Sequence, residues 1–243
     1  MSTASAYPEG MAATAPPEAR GVDRDGVRLL VARPSGTTSA TFRDLGRFLH
    51  PGDLLVVNTS RTLPAAVEGV REDGRRTIVH FSSALDDGSW VVEMRLPDNS
   101  GPMLDGRAPG TVDLSGGGRI VIDSPYRGVE GRSRLLKVQP VFELTVADYL
   151  QRFGRPIAYG YLEEPRPLDD YQTIFASEPG SAEMPSAGRP FSERLVARLV
   201  SKGVLFAPVV LHTGVSSPEG AEPPAAERFR VPKSTAVLVN QSL

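Results

Sequence analysis

Three short polar clusters hold the residue types that could do chemistry in this 243-residue chain: Asn58-Thr59-Ser60-Arg61, Ser186-Ala187-Gly188-Arg189 and His212-Thr213-Gly214. An imidazole moves protons near neutral pH. A guanidinium offers a planar, permanently charged fork suited to a carboxylate or phosphate. The first cluster follows an apolar run at 54–58, the third follows another at 204–211, and the second precedes a helix start at Ser192. In open α/β sheets, ligands lie beyond the carboxyl ends of strands and at helix N-termini. The three clusters are therefore read as one site. Each alone also has a plainer reading. Asn-Thr-Ser-Arg suits a turn, a single strand-end His is commonly structural, and Pro-Ser-Ala-Gly is ordinary turn chemistry.

Within "PSAGRPFS" (185–192) the reading is a loop that holds an anion and a nucleoside. Gly188 would let the backbone approach a ligand. Ser186, Ser192 and the free N–H groups of the helix start would donate hydrogen bonds. Arg189 would face an anion, and Pro190 would stiffen the loop.

The elements that must position these groups follow from periodicity. "VRLLVARP" (27–34) reads as a strand. "TFRDLGRFL" (41–49) reads as a helix capped by Thr41, with Phe42, Leu45 and Leu49 on one face. "LLVVN" (54–58) is continuously apolar, the pattern of a strand buried on both faces. From about 67 to 140 the texture is β throughout. "AAVEGV", "RTIVHFSS", "SWVVEMRL", "GTVDL", "GRIVIDS" and "SRLLKVQ" are separated by turn signals at Glu72-Asp73-Gly74, Asp86-Asp87-Gly88 and Gly116-Gly117-Gly118. Short strands at this spacing predict an antiparallel barrel-like module. "TVADYLQRFG" (145–154) predicts a helix from a Thr145 cap to Gly154. A second helix starts at the Ser192 cap, with Phe191 and Val196 as its hydrophobic staple, Leu195, Val196, Leu199 and Val200 as its buried face, and Gly203 at its end. "VLFAPVVLH" (204–212) reads as a buried strand in which Pro208 marks an edge or irregularity. The fold class expected is α+β or mixed α/β. Residues 19–66 and 141–243 form a discontinuous α/β domain, 67–140 are an inserted antiparallel β-barrel-like module, and 1–18 are a flexible tail rich in Ala, Ser, Thr and Pro.

Composition narrows the function. With 27 basic and 29 acidic residues the net charge is −2, which argues against a nucleic-acid coating protein but leaves room for a local basic patch. There is no cysteine, so disulfides and thiolate metal sites are excluded. His50, His80 and His212 are widely scattered, and no metal site is expected. No apolar run approaches the length of a membrane span. The expectation is a soluble, cytoplasmic, monomeric protein without a membrane partner.

Three segments, "FRDLGRFLHPGDLLVVNTSRTLPAAV" (42–67), "DDYQTIFASEPGSAEMPSAGRPFSERL" (169–195) and "VLHTG" (210–214), together resemble the S-adenosylmethionine:tRNA ribosyltransferase-isomerase family of queuosine biosynthesis. "RDGVRLLV" (24–31) fits the family's early Arg-Asp-x-x-Arg-Leu-Leu segment, and the resemblance runs in order from about 19 to 243. It implies a mixed α/β domain interrupted by a β-barrel. It implies transfer and isomerisation of the ribosyl part of S-adenosylmethionine onto a 7-aminomethyl-7-deazaguanine base in tRNA, with release of adenine and methionine. S-adenosylmethionine is then a co-substrate, and no bound cofactor or metal is needed.

That chemistry needs a base beside the sulfonium and donors that hold the ribose and the leaving groups. The resemblance implies His212, Arg61 and Ser186 as catalytic residues. Gly188 and Ser192 also lie on matching family positions, and together with Asn58, Ser60, Arg189, Thr213 and Gly214 they are read as substrate-binding, with Arg189, where the family has a Leu, facing the methionine carboxylate or an acceptor phosphate. The chain departs from the family where a His is replaced by Pro190, an Arg by Ala66, and a Met-His-Ala-Glu segment by Pro224-Ala225-Ala226-Glu227. The glycine-rich run after His-x-Gly is shortened to "VSSPEG" (215–220), and the family continues beyond Leu243 with a helix, a strand and a Gly-Thr-Thr segment. These departures suggest a fragment or a shortened paralogue whose last segment, 231–243, is poorly supported. A paralogue acting on a small molecule and a non-catalytic nucleoside- or RNA-binding relative remain as alternatives.

Overall fold

The computed structural model describes residues 15–105, 110–126, 134–158, 166–215 and 226–242. It opens with a hairpin of β1 (Arg28–Arg33) and β2 (Gly36–Thr41). The partner strand, "GTTSAT", has no apolar alternation and is absent from the sequence reading. The helix expected at 41–49 is a 3-10 helix at Phe42–Arg47, and the Thr41 side chain caps nothing. Six residues interrupted by Gly46 return too few hydrogen bonds for the cost of an α-helical nucleus. Phe42, Leu45 and Leu49 nonetheless pack against one apolar cluster, as their spacing implies.

Next come β3 (Leu54–Asn58) and β4 (Ser60–Thr62). The sequence makes Asn58–Arg61 a loop beyond a strand, but Ser60 resumes extended pairing after a single residue. β3 is not buried on both faces either: Val56 is 49% exposed, because one side of the strand opens on a cavity.

The β texture then closes into a barrel. Its strands are β5 (Ala66–Arg71), β6 (Arg76–Ala84), β7 (Trp90–Arg95), β8 (Gly110–Leu114), β9 (Arg119–Pro125) and β10 (Leu135–Val141), in the order β10-β7-β6-β5-β8-β9, antiparallel at every pairing. Closure removes the open edges of a sheet. Inward-facing Val67, Val79, Phe81, Val92, Met94, Val112, Ile120 and Val138 fill it, each at most 2% exposed. The helix α1 (Val146–Phe153) packs on this core through Tyr149 and Leu150, and the Thr145 hydroxyl accepts from Asp148 N–H as a cap. Gly116 permits that packing. It sits at φ +81° in a tight turn, and any Cβ there would overlap the Phe153 ring.

A charged cluster is buried on the opposite face of the same strands, where His80, Glu93 and Arg95 alternate with the inward-facing residues. Glu93 Oε1 accepts from Arg134 Nη1 at 3.0 Å, while Oε2 lies 3.4 Å from Arg95 Nη1 and 3.7 Å from His80 Nδ1. Arg95 also donates to Asn99, through Nε to Oδ1 at 2.7 Å and through Nη2 to the carbonyl at 3.1 Å. Burial pushes the Glu93 carboxyl up, but hydrogen bonds from His80 and Arg134 and the adjacent guanidiniums outweigh it and hold it below the usual carboxylate range. Burial holds His80 below its ordinary value, against the pull of Glu93.

The remaining elements are β11 (Glu178–Ser181), α2 (Glu193–Ser201), β12 (Leu205–His212), β13 (Arg228–Arg230) and α3 (Lys233–Gln241). β12 is the centre of a three-stranded sheet, parallel to β3 and antiparallel to β13, and β11 pairs in parallel with β4. Pro208 keeps a regular register opposite Val57 of β3, and on its other side β12 is locally an edge. β13 reaches only Val210–His212, and the Pro208 carbonyl accepts from Thr235 Oγ1 at 2.6 Å. α2 starts as read, with Ser192 Oγ accepting from Leu195 N–H at 3.2 Å. Leu195 and Leu199 are buried against Phe42, Leu55, Phe175 and Phe206, but Val200 is 56% exposed and does not belong to the buried face. Val200 lies one position beyond the arc that faces the sheet.

Candidate functional site

Strand alternation decides the geometry. Side chains at successive positions of β12 point to opposite faces. Val210 and His212 open on one cavity of about 410 Å3, between the barrel and the three-stranded sheet. Val209, Leu211 and Thr213 open on another of about 470 Å3, against the loop 184–188. The residues gathered into one site by sequence are thus divided. His212 faces the barrel-side cavity, while Asn58, Ser186, Gly188 and Thr213 line the other. Arg61 lines neither. It is exposed on β4 between buried Ser60 and Thr62, so it points away from the face where Ser60 meets His212.

The barrel-side cavity combines three kinds of group. Trp90 and Phe229 give it aromatic walls, Glu178 a carboxylate, and Arg228 and Arg230 two guanidiniums. Arg228 pairs with Asp86 at 3.3 Å and Arg230 pairs with Glu178. His212 is half-buried there. Its Nδ1 lies 2.8 Å from Ser60 Oγ, which lies 2.6 Å from Ser181 Oγ. Gly180 makes room for the ring: a Cβ would stand 2.3 Å from Nδ1. Burial lowers the His212 pKa below its ordinary value; Glu178 opposes this, and Arg228 and Arg230 add to it.

Several expected ligand contacts are occupied by the protein itself. The Asn58 amide locks β3 to β12: Oδ1 accepts from Leu211 N–H and Ser60 N–H, both at 3.0 Å, and Nδ2 donates to the Leu211 carbonyl at 2.8 Å. Thr213 N–H donates to Ser181 Oγ at 3.1 Å, and its hydroxyl donates to the Glu183 carbonyl at 2.5 Å. Gly214 N–H donates to Glu227 Oε1 at 2.9 Å. Ser192 donates to the buried carboxylate of Asp25 at 2.7 Å while capping α2. Gly188 turns its bare side toward Thr173 and Phe175 rather than toward the cavity. Ser186 is exposed at the mouth of the second cavity.

Arg189 neither faces open solvent nor waits for a ligand. It is 8% exposed, donates through Nε to the Asp170 carbonyl at 3.0 Å, and grips both carboxylate oxygens of Glu18 at 3.0–3.1 Å. Glu18 belongs to the segment read as a flexible tail. It lies instead in a short 3-10 helix, Pro17–Arg20, and also accepts from Arg24 Nε at 3.1 Å. The rest of that tail, residues 1–14, lies outside the described residues, as does "VSSPEG" beyond Val215. The last segment, 231–243, carries α3, whose Thr235 is buried against β12.

Sequence reasoning missed Ser181 and Gly180, because "EPGS" has no strand signature, and it missed the alternating Arg228-Phe229-Arg230, which was available as a pattern. It also missed Gln172, whose side chain behaves as a peptide unit. Oε1 accepts from Thr62 N–H at 3.0 Å and Nε2 donates to the Thr62 carbonyl at 2.9 Å. Among the described residues no group of three or more His, Asp or Glu is placed to hold a metal ion. No helix among them is long and apolar enough to cross a membrane.

Residues 5–243 match the family model described as queuosine biosynthesis protein. A relative from Thermotoga maritima, named S-adenosylmethionine:tRNA ribosyltransferase-isomerase, is 30% identical over 226 residues, covering 87% of this chain and 62% of the relative. One of the same name from Carboxydothermus hydrogenoformans is 36% identical over 215 residues, covering 86% of this chain and 59% of the relative. The chain thus spans about three fifths of the length of these relatives. The crystal structure of the Thermotoga maritima S-adenosylmethionine tRNA ribosyltransferase is 22% identical, covers 90% of this chain and 58% of its own, and superposes with a TM-score of 0.33, too low to bear on the fold.

Proposed function

The chain belongs to the queuosine biosynthesis protein family, and on that premise we propose that it transfers and isomerises the ribosyl moiety of S-adenosylmethionine onto a 7-aminomethyl-7-deazaguanine base of tRNA, releasing adenine and methionine. The observation that carries this reading is the barrel-side cavity. It has the size of a nucleoside-scale pocket, which runs about 300–1,000 Å3. Trp90 and Phe229 suit the flat face of a purine. Glu178 suits the cationic sulfonium or ammonium, and Arg228 and Arg230 suit a carboxylate or a tRNA phosphate. His212 stands among them with a ring that the protein already orients. In this reading Asn58, Ser192 and Arg189 hold the scaffold and do not touch substrate. On this reading the chain works in the cytoplasm.

The test is to incubate the chain with S-adenosylmethionine and to quantify adenine and methionine by chromatography, with and without tRNA carrying the aminomethyl-deazaguanine base. Release that requires the tRNA is the expected result. Release without it would transfer the reading to a small-molecule acceptor, and calorimetric binding without release would make the chain a binder. No binding at all would overturn the cavity assignment. Trp90→Ala should weaken binding by about tenfold, since stacking on an aromatic contributes roughly 1–3 kcal/mol.

A further inference from the structure

We propose that the buried hydroxyl pair Ser60–Ser181 fixes the tautomer of His212 through the proton of Ser60, so that the neutral ring keeps its proton on Nε2 and offers it to the barrel-side cavity as a hydrogen-bond donor. The argument is an accounting of protons. Ser60 and Ser181 are both fully buried, at 0% exposure, so their hydroxyl protons must find acceptors within the protein. Thr213 N–H already donates to Ser181 Oγ at 3.1 Å. The acceptor within reach of the Ser181 proton is Ser60 Oγ at 2.6 Å. Ser60, accepting there, turns its own proton toward the remaining partner, His212 Nδ1, at 2.8 Å. Nδ1 is then an acceptor and carries no proton, which leaves the proton of the neutral ring on Nε2. The opposite tautomer would reverse both hydroxyls and strand the Ser181 proton in a buried site, a loss on the scale of an unmade buried hydrogen bond.

The chain of donors also has a source. Thr213 directly follows His212, the last residue of β12, and Ser181 is the end of β11, held against β4 by the parallel pairing of Ser181 with Thr62. Both ends of the relay are therefore backbone-anchored, and Gly180 clears the space for the ring. Protonation of Nδ1 would break this order, and the charged groups facing the ring are of both signs, with Glu178 on β11 and Arg228 and Arg230 on β13. Ser181 and Ser60 are positioning residues in this account. The consequence for the proposed reaction, which rests on the reading above, is that His212 donates a hydrogen bond to electron density gathering on a departing nitrogen. It does not serve as the base beside the sulfonium.

The tautomer is read directly from two-bond proton–nitrogen correlations of the 15N-labelled imidazoles. There are three histidines in the chain, and loss of one pattern in His212→Asn assigns the ring. The native chain should show His212 with a protonated Nε2 and a bare Nδ1. Ser60→Ala removes the donor to Nδ1 and should lose this single pattern, giving a mixture or the other tautomer. Ser181→Ala leaves the buried Ser60 proton with Nδ1 as its acceptor and should keep the native pattern. A protonated Nδ1 in the neutral native chain overturns the inference, and so does a pattern unchanged in the folded Ser60→Ala chain. No substrate is needed, so absence of adenine release alongside the expected tautomer would sink the functional reading while leaving this inference standing.

Discussion

Two imidazoles, His80 buried on the outer face of the barrel strands and His212 at the end of β12, share one electrostatic fact and differ in much else. Both are held below the ordinary histidine value by burial. His80 is 1% exposed and faces Glu93, which is itself shared with Arg95 and Arg134. His212 is half-buried, bonds the neutral hydroxyl of Ser60 on one side, and has on the other a cavity lined by Glu178, Arg228 and Arg230. The first site has strong charges and no opening. The second bonds a neutral hydroxyl, has charges of both signs across a cavity, and has access to solvent. A depressed histidine pKa therefore does not identify a functional site in this molecule. The distinction lies in whether a ring atom faces space that a substrate could enter.

The harshest way to break that comparison is Glu93→Ala. It leaves two buried guanidiniums without their carboxylate, and breaking a buried pair in this way costs about 3–5 kcal/mol. Urea denaturation should show that loss, and a change below about 1 kcal/mol would mean that the cluster is solvated. Acid should act on both sites at once. The unfolded chain protonates its histidines near about 6.5, whereas the folded chain resists protonation of His80 and His212 to lower pH. The unfolded state thus binds more protons between 6.5 and the folded values. Stability should fall as the pH drops through this window, by up to about 1.4 kcal/mol per pH unit for each ring, and the fall should end below the folded values. Urea midpoints across the window test this, and a flat profile contradicts it. Ser60→Ala is milder, at about 1 kcal/mol for a lost buried hydrogen bond, and should leave the His80 site untouched. The smallest effect sharpens the comparison from outside. Arg189→Ala should change S-adenosylmethionine affinity by less than about twofold, because Glu18 fills the guanidinium fork. A tenfold loss measured by calorimetry would return Arg189 to the ligand.

The barrel was legible in the sequence because its strands are short runs of β-forming residues and most of its turns announce themselves with Gly. Both main helices were legible from their caps, Thr145 and Ser192, whose hydroxyls accept where expected. The division of the site was also available and was not drawn. His212 and Thr213 are neighbours on an extended chain, so they cannot face the same cavity. Other features had no local signal. Glu178–Ser181 contains Pro and Gly, and its strand conformation comes from its partner β4. Arg189 satisfies its charge 171 residues away in Glu18, a distance at which no spacing rule operates. Gly188 was read as a place for a ligand because its type is permissive, and its neighbours Thr173 and Phe175 show the bare side in use for packing.

The side chain of Gln172 has a consequence for how copies of this protein meet. β4 is a short strand paired along one side with β11, and its other side presents the Thr62 N–H and carbonyl. An unfilled pair of this kind is where a foreign strand docks and a sheet begins to grow between molecules. Gln172 fills both groups with its own amide, and Thr62 Oγ1 is tied to the Tyr171 carbonyl at 2.9 Å beside it. One amide side chain thus acts as a permanent plug on that strand and protects the solubility of the chain at this edge.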